Sequence, residues 1–168
     1  GEERMTSQLK VVRAGLFDTL QDLGRIGFMA LGMPTAGAMD RIALHLANAL
    51  CGNPPSAAGL EIGVMGPDLL VEAESVRVAL VGPLSPMLLE KPDAPPKPLE
   101  ADRTHLLKRG QVLRVGMVEG SSTAYFAVAG GFALPAFMGS LSTYARAGVG
   151  GFEGRKLAAG DVLPLARE

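Results

Sequence analysis

The sequence has little of the chemistry that marks many common sites. Among 168 residues there are no tryptophans, one cysteine and two histidines. One cysteine cannot form an internal disulfide, so Cys51 fits a reducing compartment and is predicted to be a small buried residue at a helix end. A single cysteine with His45 and His105 is too small a set for a plausible zinc site. Metal binding through carboxylates alone stays open, but no pattern in the sequence supports it, and we predict no metal.

The chain also lacks an excess of charge of either sign. It has 16 Lys and Arg against 17 Asp and Glu, a net charge of -1. A balance of this kind disfavours binding to nucleic acid or to an anionic membrane. The first residues, GEERMTSQLK, have no apolar core of the signal-peptide kind, so we expect a cytoplasmic protein. Residues 1–8 are expected to be a tag remnant or a disordered N-terminus.

One long stretch, residues 120–145, contains no charged residue. It has the length of a membrane span, but Gly130, Gly131 and Pro135 would interrupt the backbone hydrogen bonds that a lone spanning helix must satisfy internally. We predict instead a buried strand, a glycine turn and a loop.

Glycine (22) and proline (12) are spread along the chain rather than clustered, which is typical of many short elements joined by turns. Apolar, β-branched and aromatic runs predict strands at 9–14, 60–64, 68–73, 75–81, 85–89, 111–115 and 122–129, with weaker ones at 142–146 and 161–165. Residues 90–104 hold four prolines and are expected to be a surface excursion between strands. The sequence therefore predicts a single, mostly β domain over residues 9–168.

One helix is predicted, at about 39–50. Its apolar residues recur at helical spacing and predict a buried stripe, with the polar residues on the other side. The predicted stripe is Met39, Ile42, Ala43, Leu46 and Leu50, and the polar side is Arg41, His45 and Asn48. Gly52, followed by Pro54 and Pro55, is expected to end the helix with a left-handed cap.

Two segments share one pattern: LKRGQVLRV at 107–115 and LAAGDVLPL at 157–165. Both follow L-x-x-G-x-V-L-x-apolar, which predicts a glycine turn leading into a buried strand. Two copies are fewer than a solenoid requires, so we interpret them as one local turn–strand structure that occurs twice.

Polar side chains gather in three places that we expect to be loops, where sites on a β scaffold usually lie. They are Asp18, Gln21, Asp22 and Arg25, then Asp40 and Arg41, and finally Ser142, Thr143, Tyr144 and Arg146. An arginine can stabilise an oxyanion and a nearby carboxylate can accept a proton. Structural readings stay open beside these: an Asp22–Arg25 pair, Asp40 as a charge at the helix start, and the last group as ordinary strand residues. No phosphate-binding P-loop is present, since GGFEGRKL lacks Gly-Lys-Ser/Thr.

Three segments are familiar when taken together. They are TLQDLGRIGFMALGMPTAGAMDRIALHLANALCGN, GLEIGVMGPDLLVEA and GSLSTYARAGVGGFEGRKLAAGDVLPL. In order and spacing, from about residue 9 to residue 165, the chain resembles allophanate hydrolase subunit 2, also called the KipA-like or biotin-dependent carboxyltransferase family. That family includes the C subunit of 5-oxoprolinase and part of urea carboxylase.

The resemblance implies a cyclophilin-like β-barrel. Family members are about twice this length, so we expect the chain to be the N-terminal half of the carboxyltransferase-like region, inactive when isolated. The implied chemistry is ATP-dependent processing of an amide, lactam or ureido group, most simply the opening of 5-oxoproline to glutamate, or a biotin-dependent carboxyl transfer. ATP would be used at the level of the assembly, and biotin would be carried on another chain or domain, because no Met-Lys-Met context occurs here. The implied partners are the B subunit of the same family, which is also cyclophilin-like, and the 5-oxoprolinase A subunit.

By resemblance and residue type, Arg25 and Arg146 are the expected oxyanion donors, Asp40 or Asp22 the proton acceptor, and Gln21 and Tyr144 the hydrogen-bonding wall. Two alternatives stay open. The chain could be a regulatory protein that antagonises a kinase inhibitor, as some relatives are described, or a folded but inactive module.

Overall fold

The computed structural model describes residues 7–21, 38, 40–120, 122–133 and 156–166. Within these residues lie one helix, α1 (Arg41–Leu50), and eleven strands. The strands are β1 (Gln8–Arg13), β2 (Leu16–Gln21), β3 (Gly59–Met65), β4 (Asp68–Glu72), β5 (Ser75–Val81), β6 (Met87–Leu89), β7 (Lys97–Pro98), β8 (Arg103–Lys108), β9 (Val112–Arg114), β10 (Ala124–Val128) and β11 (Val162–Pro164).

The strands form two antiparallel sheets that pack face to face. One has the order β11-β1-β4-β9-β6-β7 and the other the order β2-β3-β10-β5-β8. Alternate residues of each strand point into the shared core, for example Leu69 and Leu113 from the first sheet and Leu60 and Phe126 from the second, all fully buried. Each such side chain contributes about 1.5–3 kcal/mol through burial. The predicted mostly β fold with one main helix is confirmed, and since the described sheets are not closed, "barrel" describes it only approximately.

All seven strongly predicted strands occur, as β1, β3, β4, β5, β6, β9 and β10, and the weaker prediction at 161–165 is β11. The predicted strand at 142–146 lies outside the described residues. Within the uncharged stretch, β10 is fully buried and Gly130 and Gly131 follow it with φ of 86° and 80°, as a glycine turn requires. Among the helices in the described ranges, none has the length and apolar character needed to cross a bilayer.

Strand β2 is a correction, because Asp18 and Gln21 were expected to lie on a loop. Leu16–Gln21 pairs with β3, and a register shift at Phe17, which has φ of 59°, marks a β-bulge. The bulge leaves Phe17 exposed and turns Asp18 into the core. Three polar side chains in six residues hid the period-2 pattern by which a strand is detected.

The excursion at 90–104 is on the surface as predicted, but it is not free of strands. It contains β7, and β8 begins at its end. β8 pairs with β5 over six residues, from Ser75↔Lys108 to Leu80↔Arg103. Its side chains are largely exposed because it is the edge of the sheet, so the expected burial pattern is weak.

Helix α1 covers the outer face of the five-stranded sheet. It ends as predicted, with Gly52 in the left-handed region at φ 73°. The predicted buried stripe was wrong in part. Its members Ala43 and Leu50 pack against the sheet, but Ile42 is 82% exposed and Leu46 is 48% exposed. The fully buried apolar residues of the helix are instead Leu44 and Ala47. The helix carries apolar residues on more than one face, and packing against the sheet, at residues Val81, Tyr125 and Ala127, selects the one that is buried.

Asn48, predicted on the polar side of α1, is fully buried. Its side-chain amide donates to the carbonyl of Ala57 at 2.9 Å, and its backbone carbonyl accepts from the N–H of Asn53 at 2.8 Å. Asn53 in turn donates to the carbonyl of Val128 at 2.7 Å. The two asparagines therefore tie the end of α1 to the end of β10, which makes burial of a polar group tolerable.

The repeated pattern is confirmed as a repeated structure. Gly110 and Gly160 have φ of 89° and 93° and donate to the carbonyls of Val71 and Val11, at 2.9 and 2.7 Å. The strands that follow, β9 and β11, pair with β4 and β1, which pair with each other. The two turn–strand units are thus related by an approximate local two-fold axis through the β1–β4 pair.

Candidate functional site

A row of mostly polar side chains crosses the outer face of the five-stranded sheet. Thr19 of β2 lies opposite Glu61 of β3, and Glu61 lies opposite Tyr125 of β10. Gln21 shares this face with Thr19, because side chains alternate along a strand. The start of α1, at Asp40, reaches the same row. We call Thr19, Gln21, Glu61, Tyr125 and the backbone of Asp40 the outer-face cluster.

The centre of the outer-face cluster is the Glu61–Tyr125 pair. The Tyr125 hydroxyl donates to Oε2 of Glu61 at 2.7 Å and accepts from the backbone N–H of Asp40 at 2.9 Å. Tyr125 is fully buried and Glu61 is 8% exposed. Burial, together with the hydrogen bond to Glu61, raises the pKa of Tyr125 above its ordinary value. The hydroxyl therefore keeps its proton and stays a donor to the carboxylate.

Gln21 has an amide oxygen that is buried and unpaired. Its Nε2 donates to Oγ1 of Thr19 at 2.8 Å, which orients the amide. The side chain is 7% exposed, and its Oε1 has no hydrogen-bond partner among the described residues. Since a buried acceptor without a donor costs free energy, about 1–3 kcal/mol, this atom is a place where a ligand N–H or O–H would be favourable.

Asp40 lies at the other end of the outer-face cluster and is exposed to solvent. Its Oδ1 accepts from the backbone N–H of Ala43 at 3.0 Å, so it is the N-cap of α1. The structural reading of Asp40 as a helix-start charge is therefore confirmed. Its role as proton acceptor stays a prediction. Capping uses one carboxylate oxygen, and this contact does not show whether the carboxylate takes up a proton during a reaction.

The other predicted site residues, Asp22, Arg25, Tyr144 and Arg146, lie outside the described residues. Gln21 and Asp40 are placed at opposite ends of one connected set of contacts. The residues that connect them, Thr19, Glu61 and Tyr125, were missed. A carboxylate in the otherwise apolar run GLEIGVM was the available signal for Glu61, because such a residue in a buried strand needs a partner.

Asp18 is a second unusual carboxyl group, on the inner face of β2. It is 2% exposed, and neither of its oxygens has a well-formed hydrogen bond among the described residues. Burial raises the pKa of Asp18 to about 8, and the nearby backbone amide of Gly15 offsets only part of that rise. Asp18 is therefore largely an uncharged acid at neutral pH, and it lies on the opposite face from the outer-face cluster.

Other features of the described residues offer less. No group of three or more His, Cys, Asp or Glu residues is arranged to hold a metal ion there. Cys51 is partly buried at the end of α1, and burial raises the pKa of its thiol to about 11. A groove of about 670 Å³ is lined by residues 82–87 and 98–102. Neither of the predicted site residues that the structure describes, Gln21 and Asp40, lines it.

Residues 31–168 match the model of the family described as "Carboxyltransferase domain, subdomain A and B". The chain belongs to this carboxyltransferase-domain family. It is 39% identical over 160 residues to the C subunit of 5-oxoprolinase from Escherichia coli, covering 95% of this chain and 49% of that protein. It is 35% identical over 157 residues to urea amidolyase of Lachancea kluyveri, covering 93% of this chain and 8% of that protein.

The crystal structure of the K. lactis urea amidolyase superposes with a TM-score of 0.89 at 32% identity, over 99% of this carboxyltransferase-family chain and 10% of that one. The resemblance inferred from the three sequence segments is confirmed at the level of the family. The chain spans about half the length of the 5-oxoprolinase relative and less than a tenth of the amidolyase. One relative is by name a subunit, and the other is a much longer chain.

Proposed function

We propose that this chain supplies part of the site of an ATP-dependent, multi-subunit enzyme that processes an amide, lactam or ureido group. The reaction we favour is the opening of 5-oxoproline to glutamate, as the name 5-oxoprolinase indicates. The second candidate is carboxyl transfer to a urea-like nitrogen. Similarity to the C subunit of 5-oxoprolinase and to urea amidolyase supports this proposal. The observation that carries it is the buried Oε1 of Gln21, which has no hydrogen-bond partner among the described residues.

The chemistry of the outer-face cluster fits this substrate class. The O=C–N groups of lactams, ureas and primary amides carry an N–H, and Gln21 Oε1 can accept a hydrogen bond from it. A reaction at such a group also needs an acceptor for the N–H proton and donors aimed at the developing oxyanion. Within the cluster, Glu61 supplies a carboxylate. Arg25 and Arg146 remain the proposed oxyanion donors, with Asp22 and Tyr144 as further binding residues.

ATP and biotin are proposed to reach the site from other chains or domains. A ureido ring carries N–H groups, so the free acceptor of Gln21 fits biotin as well as a substrate. When bound, biotin would supply the carboxyl group to be transferred; the residues of this chain would bind and orient the acceptor. The proposed partners are the B subunit of the same family and the 5-oxoprolinase A subunit. The lone, partly buried thiol of Cys51 suits action in the reducing cytoplasm.

The test is co-expression of the protein in its complete natural form with its B and A partners. Glutamate release from 5-oxoproline and carboxylation of urea are each measured with and without ATP. We expect ATP-dependent turnover of one of these substrates. If neither is turned over by an assembly that forms and binds ATP, the proposal is wrong, and the regulatory alternative replaces it.

A further inference from the structure

One hydroxyl group joins three elements of the fold. Tyr125 belongs to β10, and its hydroxyl contacts Glu61 on β3 and the backbone N–H of Asp40 at the start of α1. The N–H groups at a helix start have no partner within the helix. Because Tyr125 accepts from the N–H of Asp40, it helps to fix where the first turn of α1 lies.

Packing alone does not account for this hydroxyl. The ring of Tyr125 packs with Val81 and Ala127 beneath α1, a role that phenylalanine could fill. Burying a hydroxyl costs free energy unless it is hydrogen-bonded. Burying a carboxylate without a partner costs more, and Glu61 is only 8% exposed. The hydrogen bond of 2.7 Å between the two groups offsets part of the cost of burying each of them. Such paired buried groups orient their surroundings more than they stabilise them.

We propose that Tyr125 is a positioning residue: its hydroxyl holds the Glu61 carboxylate and the start of α1 in one arrangement, so that the outer-face cluster is formed before substrate binds. The expected effect on turnover rests on the proposed function, whereas the effect on local structure does not. Groups held in place before binding need no reorganisation during the reaction, which is why small displacements reduce catalysis strongly.

Removal of the Tyr125 hydroxyl would act on both of its hydrogen-bond partners. The Glu61 carboxylate would lose a donor, and the backbone N–H of Asp40 would lose its acceptor. The carboxylate and the start of α1 would then be less firmly held relative to each other. We therefore expect a lower kcat rather than weaker binding of the substrate.

The experiment compares Tyr125→Phe with the wild type in the complete assembly and, for exchange, in the purified protein. The amide of Asp40 should exchange with solvent about tenfold faster in the variant. In the complete assembly, kcat should fall by about tenfold while KM changes little. Leu113→Ala, in the core of the other sheet, is the control: it should speed exchange of many amides together and leave kcat of the folded assembly in place.

The outcomes separate the proposals. An Asp40 exchange rate equal to that of the wild type overturns the positioning role. Faster exchange with the wild-type kcat in an active assembly also overturns it, because the hydroxyl would then be only structural. If the wild-type assembly turns over neither substrate, the proposed function fails, and the exchange rate of Asp40 still supports or overturns the local arrangement.

Discussion

Glu61 and Tyr125 are direct neighbours across β3 and β10, and a hydrogen bond of 2.7 Å joins their side chains. Register places them together: Leu60 and Phe126, one position along each strand, are paired on the core face. Alternation therefore puts Glu61 and Tyr125 on the outer face, beneath the start of α1. A one-residue slip in this register would bury Glu61 in the main core, so the apolar core residues specify where the polar pair lies.

Asp18→Asn should make the stability of the protein less dependent on pH. The folded-state pKa of Asp18 is raised from 3.8 to about 8, so the contribution of its neutral form is fully present below 3.8 and is lost as pH rises through about 8. The variant keeps an uncharged side chain of the same shape. Relative to the wild type, it should gain stability between these values, on the order of a few kcal/mol by pH 8.

The measurement is urea unfolding of both proteins at about pH 5, 7 and 9. Asp93→Asn is the matched control, because Asp93 is exposed to solvent. That variant should follow the wild type at every pH. A difference between Asp18→Asn and the wild type that does not grow with pH would contradict the account of Asp18.

Substitutions at Asp40 separate its capping role from its proposed chemistry. Asp40→Ala removes the acceptor for the Ala43 N–H and should destabilise the protein by about 1 kcal/mol. Asp40→Asn retains a capping oxygen and should cost only a few tenths of that. If the carboxylate also accepts a proton during turnover, Asp40→Asn lowers kcat in a protein of near-normal stability. Equal kcat for Asp40→Asn and the wild type would restrict Asp40 to capping.

The corrected orientation of α1 predicts unequal effects of two neighbouring truncations. Leu44 is fully buried against the sheet, so Leu44→Ala should destabilise the protein by about 2–5 kcal/mol. Ile42 is 82% exposed, and Ile42→Ala should change stability by less than about 0.5 kcal/mol. Urea unfolding of the two variants decides between the observed face and the stripe predicted from sequence, for which the order would be reversed.

The two glycine turns should respond alike to substitution. A Cβ at Gly110 or Gly160 would meet nothing within 4 Å, so the cost of alanine at either position comes only from the positive φ. We expect each variant to lose about 1–2 kcal/mol, measured by thermal or urea unfolding. A cost confined to one of the two turns would contradict their structural equivalence.

Much of the fold could be predicted from local patterns. The strand that becomes β5 consists largely of β-branched and aliphatic residues, and the helix end at Gly52 follows from glycine and proline chemistry. The repeated pattern at 107–115 and 157–165 was recognisable because its glycine, valine and leucine each have a fixed structural task. These features depend on neighbours in sequence.

What could not be predicted depends on neighbours in space. The bulge at Phe17 makes β2 a strand in spite of its polar residues, and packing on the sheet turns Leu44 rather than Ile42 inward. The outer-face cluster joins residues as far apart as 85 positions, at the hydrogen bond between Asp40 and Tyr125. The pattern of a single sequence does not specify which strands pair or in what register. Gln21 and Asp40 were therefore predicted as site residues from residue type, whereas the residues that connect them in space were not predicted.

The measurement that tests the central claim most directly is kcat/KM of Gln21→Met in the complete assembly. Methionine is similar in length and removes both the buried Oε1, which has no partner among the described residues, and the Nε2 donor to Thr19. Because one hydrogen bond is lost and one unsatisfied acceptor is removed, the net change in stability in urea should be small. If Gln21 Oε1 receives the N–H of the substrate, kcat/KM should fall by at least about tenfold in this well-folded variant. Wild-type kcat/KM in Gln21→Met would contradict the claim that the outer-face cluster binds the substrate.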